Sequence, residues 1–435
     1  MADLWSGLPP GWQDLLVALL LIAPGMVAGA VVLRGLAPGP LVRAMLRRFG
    51  WVNLLFVLLI AVSVGLGVGL VAQERGLRQG SARAAEKFDL IVAAPGSEVT
   101  AMLAAVYLQP SDMPLLTGAQ YAEIASANGV DFAAPIAFGD SFGAAPVVGT
   151  TAAFVTHLAG PLAEGRLFAT EAEAVVGAFV PLRTGESFTP AHGHGPAAET
   201  DAHAGAGYTV TGRMAPTGSP WDRAILVPVE GVWAVHGLAT GHAPGSVQIG
   251  PPFDPGYMPG TPAVLVRATE LWGNYALKSR FSRPDMMAFF PGTVLAQLHG
   301  LMREVRAVMS LLAVMTQVLV TLSVLIGLMI LVRLIARSLA VLRAIGAPAR
   351  FVFAVVWSYS ATLIASGALL GLGLGWAAAR LLSAFVTART DVLVRADLGW
   401  GELHLVAGFV SLTLLLALLP ALAAIRRPLL SDLRT

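Results

Sequence analysis

The chain has 435 residues, of which 56% are hydrophobic and only 12% charged, with a mean hydropathy of +0.72 and a formal net charge of +2. Soluble domains usually carry about a quarter charged residues, so this composition argues against a wholly soluble protein and indicates a membrane environment. The absence of cysteine excludes disulfides, iron–sulfur ligation and thiol catalysis.

Five segments have the length and apolar character of transmembrane helices, which need about 20 mainly apolar residues. They are Leu15–Leu33, Trp51–Ala72, Ala307–Val332, Val352–Ala378 and Leu405–Ala424. The first lacks a preceding basic region, so we predict a retained helix rather than a cleaved signal peptide. Its central Pro24-Gly25 pair leaves a shallow re-entrant segment as the alternative.

Arginines indicate the orientation of these spans. Three connecting or terminal segments are rich in arginine: 34–48, with Arg34, Arg43, Arg47 and Arg48; 333–350, with Arg333, Arg337, Arg343 and Arg350; and 426–434, with Arg426, Arg427 and Arg434. The positive-inside rule places these segments in the cytoplasm. The N-terminus and residues 73–306 are then expected on the other side of the membrane.

Residues 73–306 have the composition of a globular domain with short β-like runs, helical pieces and frequent Gly and Pro, which predicts a mixed α/β fold. The predicted strands are Asp89–Val92, Ala145–Val148, Ala174–Val176, Tyr208–Val210, Ala224–Val227 and Ala263–Val266, and the predicted helices include Gly118–Ala127 and Glu230–Val235. Polar, helix-prone stretches at Gln73–Lys87 and Leu295–Met309 are predicted to be stalks that continue the adjacent spans. The Gly-, Ala- and His-rich segment His192–Gly207 is predicted to be a mobile loop.

All eight histidines fall on the predicted extracytoplasmic side. His192, His194 and His203 cluster along the sequence with acidic residues nearby, and imidazole and carboxylate groups are ligands for a divalent metal such as zinc. The spacing matches no closed metal site. A solvated linker without metal is therefore the alternative.

Glycines repeat within two of the predicted spans. Gly65 and Gly69 lie in the second span, and Gly367, Gly371 and Gly375 recur every four residues in the fourth. Small residues at this spacing line one helix face and allow a second helix to approach closely. The sequence leaves open whether that helix belongs to the same chain or to a second subunit.

The chain lacks the motifs of several enzyme classes. Neither of its two lysines, Lys87 and Lys278, lies in a P-loop, so any ATP that drives the protein must be hydrolysed by another chain. No Gly-x-Ser-x-Gly or His-Glu-x-x-His motif is present, and charge within the spans is nearly absent. We therefore expect neither an enzyme nor an ion pathway.

The segment Leu339–Phe353 reads LAVLRAIGAPARFVF and lies in the predicted cytoplasmic loop 333–351. It resembles the "LRALGA"-type run of the FtsX-like, MacB-type ABC transporter permease family (type VII), in which this run forms a coupling helix against the ATPase. The matching residues are Leu342, Arg343, Ala344, Ile345, Gly346 and Ala347. The family often has a Glu five residues before the arginine, where this chain has Ser338.

Further stretches are similar to the same family. They are Val147–Phe154 and Glu164–Gly177, which resemble runs of its extracytoplasmic core domain; Tyr208–Val227, with Pro216-Thr217-Gly218 and Asp222; and the closing segment Pro420–Arg434. The resemblance extends from about Pro40 to the end of the chain. The first predicted span is additional to the usual four.

The resemblance implies a membrane α-helical bundle of four core transmembrane helices plus one extra N-terminal helix. A mixed α/β, MacB-like periplasmic core domain is inserted between the first and second core helices. The implied domains are the extra helix (1–37), the arginine-rich segment and first core helix (38–72), the extracytoplasmic domain with its stalks (73–306) and an FtsX-like domain of three helices with a basic C-terminal tail (307–435).

The same resemblance implies a permease of the FtsX/MacB/LolCE type in the bacterial inner membrane, with the C-terminus in the cytoplasm. Two permease subunits, identical or different, would pair with an ATPase dimer that binds ATP and Mg, and a periplasmic protein could join them. The resemblance implies no cofactor in the chain itself and no binding of nucleic acid, and zinc at the histidine-rich loop stays a candidate argued from the histidines alone. Such systems move their periplasmic domains for export, extraction or metal-linked transport. The alternatives are a membrane-anchored ligand or metal sensor without transport, and a membrane enzyme that works through the histidines.

Overall fold

The computed structural model describes residues 5, 7–109, 111–193, 207–270, 272–390 and 392–426. The chain divides into two compact units, which we call the helical unit and the α/β unit. The helical unit comprises Met1–Gly76, Arg303–Ala384 and Arg395–Thr435, and the α/β unit comprises Leu77–Met302 and Phe385–Val394.

Long apolar runs form the longest helices, whereas three of the short helices of the α/β unit begin at polar caps. Ser97, Thr117 and Thr151 each accept a hydrogen bond from a backbone N–H in the first turn of the helix that follows. The helices are α1 (Pro10–Leu33), α2 (Gly39–Arg48), α3 (Gly50–Ala85), α4 (Glu98–Tyr107), α5 (Gly118–Ala125), α6 (Ala152–Ala159), α7 (Val229–Val235), α8 (Gly273–Phe281), α9 (Pro291–Leu334), α10 (Ala336–Ala344), α11 (Ala349–Thr390), α12 (Trp400–Leu416) and α13 (Leu418–Ile425).

Among the residues that the structure describes, four helical segments are long and apolar enough to cross a membrane: Pro10–Leu33, Gly50–Ala85, Ala349–Arg389 and Trp400–Ile425. They contain the first, second, fourth and fifth predicted spans. The third predicted span lies within α9, which has an apolar stretch at Gln317–Ile330. The last span differs from the prediction because it breaks at Ala417 into α12 and α13. Pro420 lacks the N–H that would bond to Leu416 in a continuous helix.

The long helices of the helical unit expose apolar side chains and bury polar ones. Leu20, Leu66 and Leu381 are between 65% and 75% exposed. Buried Asn53 donates to the Leu46 carbonyl over 2.9 Å and accepts a hydrogen bond from the Tyr359 hydroxyl. An apolar surface around hydrogen-bonded polar groups is the arrangement expected of helices that pack together in lipid.

Helix α1 is continuous through Pro24, which favours the predicted retained helix over a re-entrant segment broken at that residue. The Gly25 N–H donates to the Ser411 hydroxyl of α12 over 3.0 Å. At Gly29 an added Cβ would lie 2.7 Å from the Trp357 ring of α11. The two glycines therefore let α1 pack closely against α11 and α12.

Two sheets form the α/β unit. Their strands are β1 (Leu90–Ala93), β2 (Val130–Pro135), β3 (Ala137–Phe142), β4 (Ala145–Thr150), β5 (Glu164–Gly165), β6 (Glu173–Val176), β7 (Ser187–Phe188), β8 (Ala191–His192), β9 (Tyr208–Arg213), β10 (Ile225–Pro228), β11 (Ala263–Ala268) and β12 (Met287–Phe289). One sheet is antiparallel with the order β12-β1-β11-β2. The other is mixed, with the order β5-β9-β6-β10-β4-β3-β8 and β7 paired to β9. In the mixed sheet β4 runs parallel to β10, and β6 runs parallel to β9.

The six strands predicted from sequence are confirmed as β1, β4, β6, β9, β10 and β11, with boundaries shifted by a few residues. Strands β2 and β3 are not among the strands predicted from the sequence, because VDFAAP and AFGDSF contain few β-branched residues. They are held as strands by pairing with β11 and with β4 and β8.

The prediction of a mobile loop over His192–Gly207 is wrong at its first residue. His192 belongs to β8, where it pairs with Asp140 of β3. Residues 194–206 of the predicted loop lie outside the described residues. Because the pairing partner lies far away in the sequence, the local Gly-, Ala- and His-rich composition could not indicate a strand here.

Asp222 closes the loop that begins at Pro216-Thr217-Gly218. Its carboxylate is 2% exposed and accepts hydrogen bonds from the Thr217 N–H (2.7 Å), the Thr217 hydroxyl (2.8 Å) and the Gly218 N–H (2.7 Å). We expect Asp222→Asn to lower the free energy of unfolding by about 1–3 kcal/mol, because an amide NH₂ would face a backbone N–H and the charge-assisted bonds would be lost.

Denaturant unfolding of the full chain in detergent, followed by circular dichroism, measures this loss. Asp254→Asn is the matched control, since Asp254 is exposed and its side chain accepts one backbone hydrogen bond, from Gly256 over 2.8 Å. The control should change the free energy of unfolding by less than about 0.5 kcal/mol. Equal losses in the two variants would contradict the role given to Asp222.

Candidate functional site

The LRAIGA run occupies the end of α10 and the turn that follows it. Leu342, Arg343 and Ala344 are the last residues of α10, and Ile345 caps the helix. Gly346 has φ of +104°, a left-handed backbone that favours glycine. The Ala347 N–H donates to the Leu342 carbonyl over 3.0 Å, and α11 begins at Ala349. The run therefore lies in a compact helix–turn segment between the long helices α9 and α11. We call this segment, α10 with the turn at Ile345–Pro348, the bracket.

Helix α10 has a buried side and an exposed apolar side. Leu339 and Ala340 are buried against the helical unit, together with Ile335 just before the helix. Val341 and Ile345 lie four residues apart and are 47% and 77% exposed. One side of the bracket is thus anchored in the bundle, while Val341 and Ile345 lie on its exposed side.

Two of the three arginine-rich segments, 34–48 and 333–350, meet at one end of the helical unit. Arg350 at the start of α11 donates to the Arg34 carbonyl after α1 over 2.9 Å. Val42 and Met45 of α2 belong to the same buried cluster as Leu339 of α10. This common end is the arrangement that the positive-inside rule requires of segments 34–48 and 333–350.

Polar contacts also join α1, α3 and α12 at the opposite end of the helical unit. Arg75 of α3 forms a 2.7 Å ion pair with Glu402 of α12, whose side chain is fully buried. His404 lies 2.8 Å from the Asp14 carbonyl of α1. The start of α12 therefore lies beside Arg75 of α3 and beside the start of α1, as expected for alternating helix directions.

The repeated glycines face one another within the chain. A Cβ added at Gly371 would lie 2.7 Å from the Ala61 carbonyl oxygen, and one at Gly375 would lie 2.6 Å from the Gly65 carbonyl oxygen. At Gly367 the nearest atoms are those of Ile60, at 2.7 Å. On the α3 side, an added Cβ at Gly65 would lie 3.1 Å from the Gly371 carbonyl oxygen, and one at Gly69 would lie 3.6 Å from that of Gly375. Of the two interpretations left open by the sequence, the structure favours packing between α3 and α11 of one chain.

His192 lies beside two residues that its own sequence neighbourhood does not contain. Its Nδ1 is 3.3 Å from the Asp140 Oδ1 and 3.4 Å from the His236 Nε2. His194 and His203, which the sequence groups with His192, lie outside the described residues. Along the sequence, Asp140 and His236 are not grouped with His192, because Asp140 lies on β3 and His236 lies directly after α7. The spacing of residues around His192 therefore could not identify them as ligand candidates.

Other described histidines have separate partners. His157 lies 2.8 Å from the Lys87 carbonyl, His299 lies 3.4 Å from the Ser81 hydroxyl, and His242 lies 3.4 Å from Glu230. Burial raises the pKa of the Glu230 carboxyl, and the neighbouring His242 opposes that shift. Near the His192 cluster, burial raises the pKa of the Tyr208 hydroxyl and the Asp140 carboxylate adds to the increase.

Comparison with known proteins gives little guidance. No protein-family model matches the chain, and no curated protein matches it. Among solved structures the chain is similar to the extracellular domain of the noncanonical ABC-type transporter YknZ from Gram-positive bacteria, with 10% identity over 46% of this chain and 98% of that one, and a TM-score of 0.28.

Proposed function

We propose that this chain is the transmembrane subunit of an ABC-type transporter, and that a separate ATPase subunit hydrolyses ATP and acts on it through α10. The observation that carries the proposal is α10 itself. It ends in the LRAIGA run, which resembles the coupling segment of FtsX-like permeases. It is also anchored in the bundle by Leu339 and Ala340 while it exposes Val341 and Ile345.

A force applied to α10 would reach the bundle directly. Leu339 belongs to the same buried cluster as Val352 and Val355 of α11 and Val42 of α2. Close-packed interiors deform little, so a displacement of α10 would move these helices rather than be absorbed locally. The tight turn at Gly346 keeps the connection between α10 and α11 short, which favours transmission of a displacement from α10 to α11.

The arginine pattern favours an orientation with α10 in the cytoplasm and the α/β unit outside. Helices α3 and α9 each continue without interruption from residues of the helical unit into residues of the α/β unit. Inside the α/β unit they lie side by side, with the Ser81 hydroxyl 3.4 Å from the His299 Nε2. We propose that these two helices are the levers by which ATP turnover moves extracytoplasmic elements, as in the mechanotransmission systems that the sequence resembles.

A second permease subunit is part of the proposal. The glycine faces of α3 and α11 are covered by each other, so the contact between two permease subunits would use other surfaces of the helical unit. The exposed leucines and valines of α1, α3 and α11 offer such surfaces, which are otherwise covered by lipid.

The proposal is tested by purifying the full chain from its native membrane in mild detergent and identifying co-purified proteins by mass spectrometry. We expect an ATPase with a P-loop, present in an amount equal to that of the permease. An accompanying periplasmic protein would identify the substrate class. A chain that purifies alone, under conditions in which a known transporter of this kind keeps its ATPase, would contradict the proposal and favour a membrane-anchored sensor or adaptor.

A further inference from the structure

We propose that Asp140, His192 and His236 form a site for one divalent transition-metal ion, with zinc as the preferred ion, at the edge of the mixed sheet. The proposal does not depend on the transporter assignment, because it concerns only side chains of the α/β unit. It also differs from the ligand set that the sequence suggests, since only His192 is common to both sets.

The fold brings the three residues together from separate parts of the chain. Asp140 and His192 are direct cross-strand partners on β3 and β8. His236 follows the last residue of α7. The backbone directly after His192 is held at Gly193, because the Gly193 N–H donates to the Gly139 carbonyl over 2.8 Å and the Ser141 hydroxyl donates to the Gly193 carbonyl over 2.7 Å.

The three candidate ligand atoms form a nearly equilateral triangle. The Asp140 Oδ1 lies 3.3 Å from the His192 Nδ1 and 3.4 Å from the His236 Nε2, and the two nitrogens are 3.4 Å apart. Tetrahedral zinc with ligand bonds of about 2.0–2.1 Å places its ligand atoms about 3.3–3.4 Å from one another. The observed triangle therefore has the dimensions of one face of a zinc tetrahedron.

Hydrogen bonding orients His236 for metal binding. Its Nδ1 lies 2.8 Å from the Val232 carbonyl oxygen, which only accepts hydrogen bonds, so Nδ1 carries a proton. In the neutral ring Nε2 then has its lone pair directed toward Asp140 and His192. Metal-binding histidines commonly have their second nitrogen held in this way by a backbone carbonyl.

Burial and exposure both favour a bound cation. The Asp140 side chain is 1% exposed, and a carboxylate so deeply buried is stabilised by a cation held against it. The His192 side chain is 49% exposed and that of His236 is 23% exposed, so an ion can reach the triangle from solvent. Two imidazoles and one carboxylate suit zinc better than magnesium or calcium, which prefer oxygen ligands alone.

Zinc titration of the full chain tests the site. The protein is purified in detergent through a tag without histidine, stripped with a chelator and titrated with Zn²⁺ in a calorimeter. We expect one high-affinity ion per chain and a rise in the unfolding temperature when zinc is added. Asp140→Asn and His236→Gln should each abolish the high-affinity binding. Co²⁺ in place of zinc should give the strong visible absorption of a tetrahedral ion in the unmodified chain and lose it in these variants.

The matched control is the double variant His194→Ala, His203→Ala, which removes the other two histidines of the ligand set suggested by the sequence. It should retain the high-affinity ion. Unfolding temperatures measured without metal show which variants are folded. If Asp140→Asn does not fold because Asp140 is buried, the variant of the partly exposed His236 decides the test. The proposal is overturned if the unmodified chain binds no zinc, or if the double variant loses the ion while folded His236→Gln keeps it.

Discussion

Reversing the charge of Arg343 and replacing Gly346 by proline should remove the stimulation of the partner ATPase while the protein still inserts and folds. Gly346 has φ of +104°, whereas proline is confined to about −65°, so the turn after α10 must rearrange. Since coupling energies of about 1–3 kcal/mol correspond to factors of about 5–150, we expect stimulation to fall by at least about fivefold. ATP hydrolysis by the reconstituted complex in lipid vesicles, with and without the permease, measures the effect.

The control for this experiment is the double variant Arg34→Glu, Gly35→Pro. Gly35 also has a left-handed backbone, with φ of +70°, and a side chain at either glycine would meet no atom within 4 Å. The control therefore carries the same charge reversal and the same kind of backbone strain at another turn. It should keep most of the stimulation, because it leaves α10 intact. Full stimulation in the Arg343→Glu, Gly346→Pro variant would refute the coupling role of α10.

Replacing Gly371 by valine should destabilise the helical unit strongly. The added Cβ would lie 2.7 Å from both the Ala61 carbonyl oxygen and the Val64 Cβ, so α3 and α11 would have to move apart. Overpacking of this kind costs about 1–3 kcal/mol, and more when backbone must move. Unfolding of the detergent-solubilised chain by increasing SDS, followed by circular dichroism, gives the loss directly.

Gly373→Val is the matched control, because Gly373 lies on the same helix and an added Cβ there would meet no atom within 4 Å. Helix propensity changes equally in the two variants, so their difference isolates the contact with α3. We expect Gly373→Val to leave stability nearly unchanged. If Gly371→Val instead kept its stability and lost only self-association, the glycine face would be a contact between subunits rather than within one chain.

These two experiments concern different parts of the helical unit, and they separate two questions. The Gly371 variant tests the arrangement of α3 and α11 without reference to any partner. The Arg343 and Gly346 variant tests the proposed function and leaves that packing intact. A stable chain that no longer stimulates its ATPase would therefore locate the defect at α10.

Patterns in the sequence indicate the membrane class of the chain, its apolar helices and six strands of the α/β unit. Each of these features depends on local composition: about 20 consecutive apolar residues for a span, or a short β-prone run between turn residues. The LRAIGA run was also recognisable because it lies in one contiguous segment. The resemblance led to the same prediction of helices flanking an α/β domain, and the described helices and sheets fit it.

Which distant residues meet is visible in the folded chain alone. Asp140, His192 and His236 come from a strand, an edge strand and a helix end, so no spacing in the sequence connects them. The partner of the Gly367–Gly375 face was equally ambiguous, because small residues permit close approach without specifying which helix approaches. Pairing across long separations depends on the packing of the whole unit, whereas sequence patterns report what each segment does within a few turns or strands.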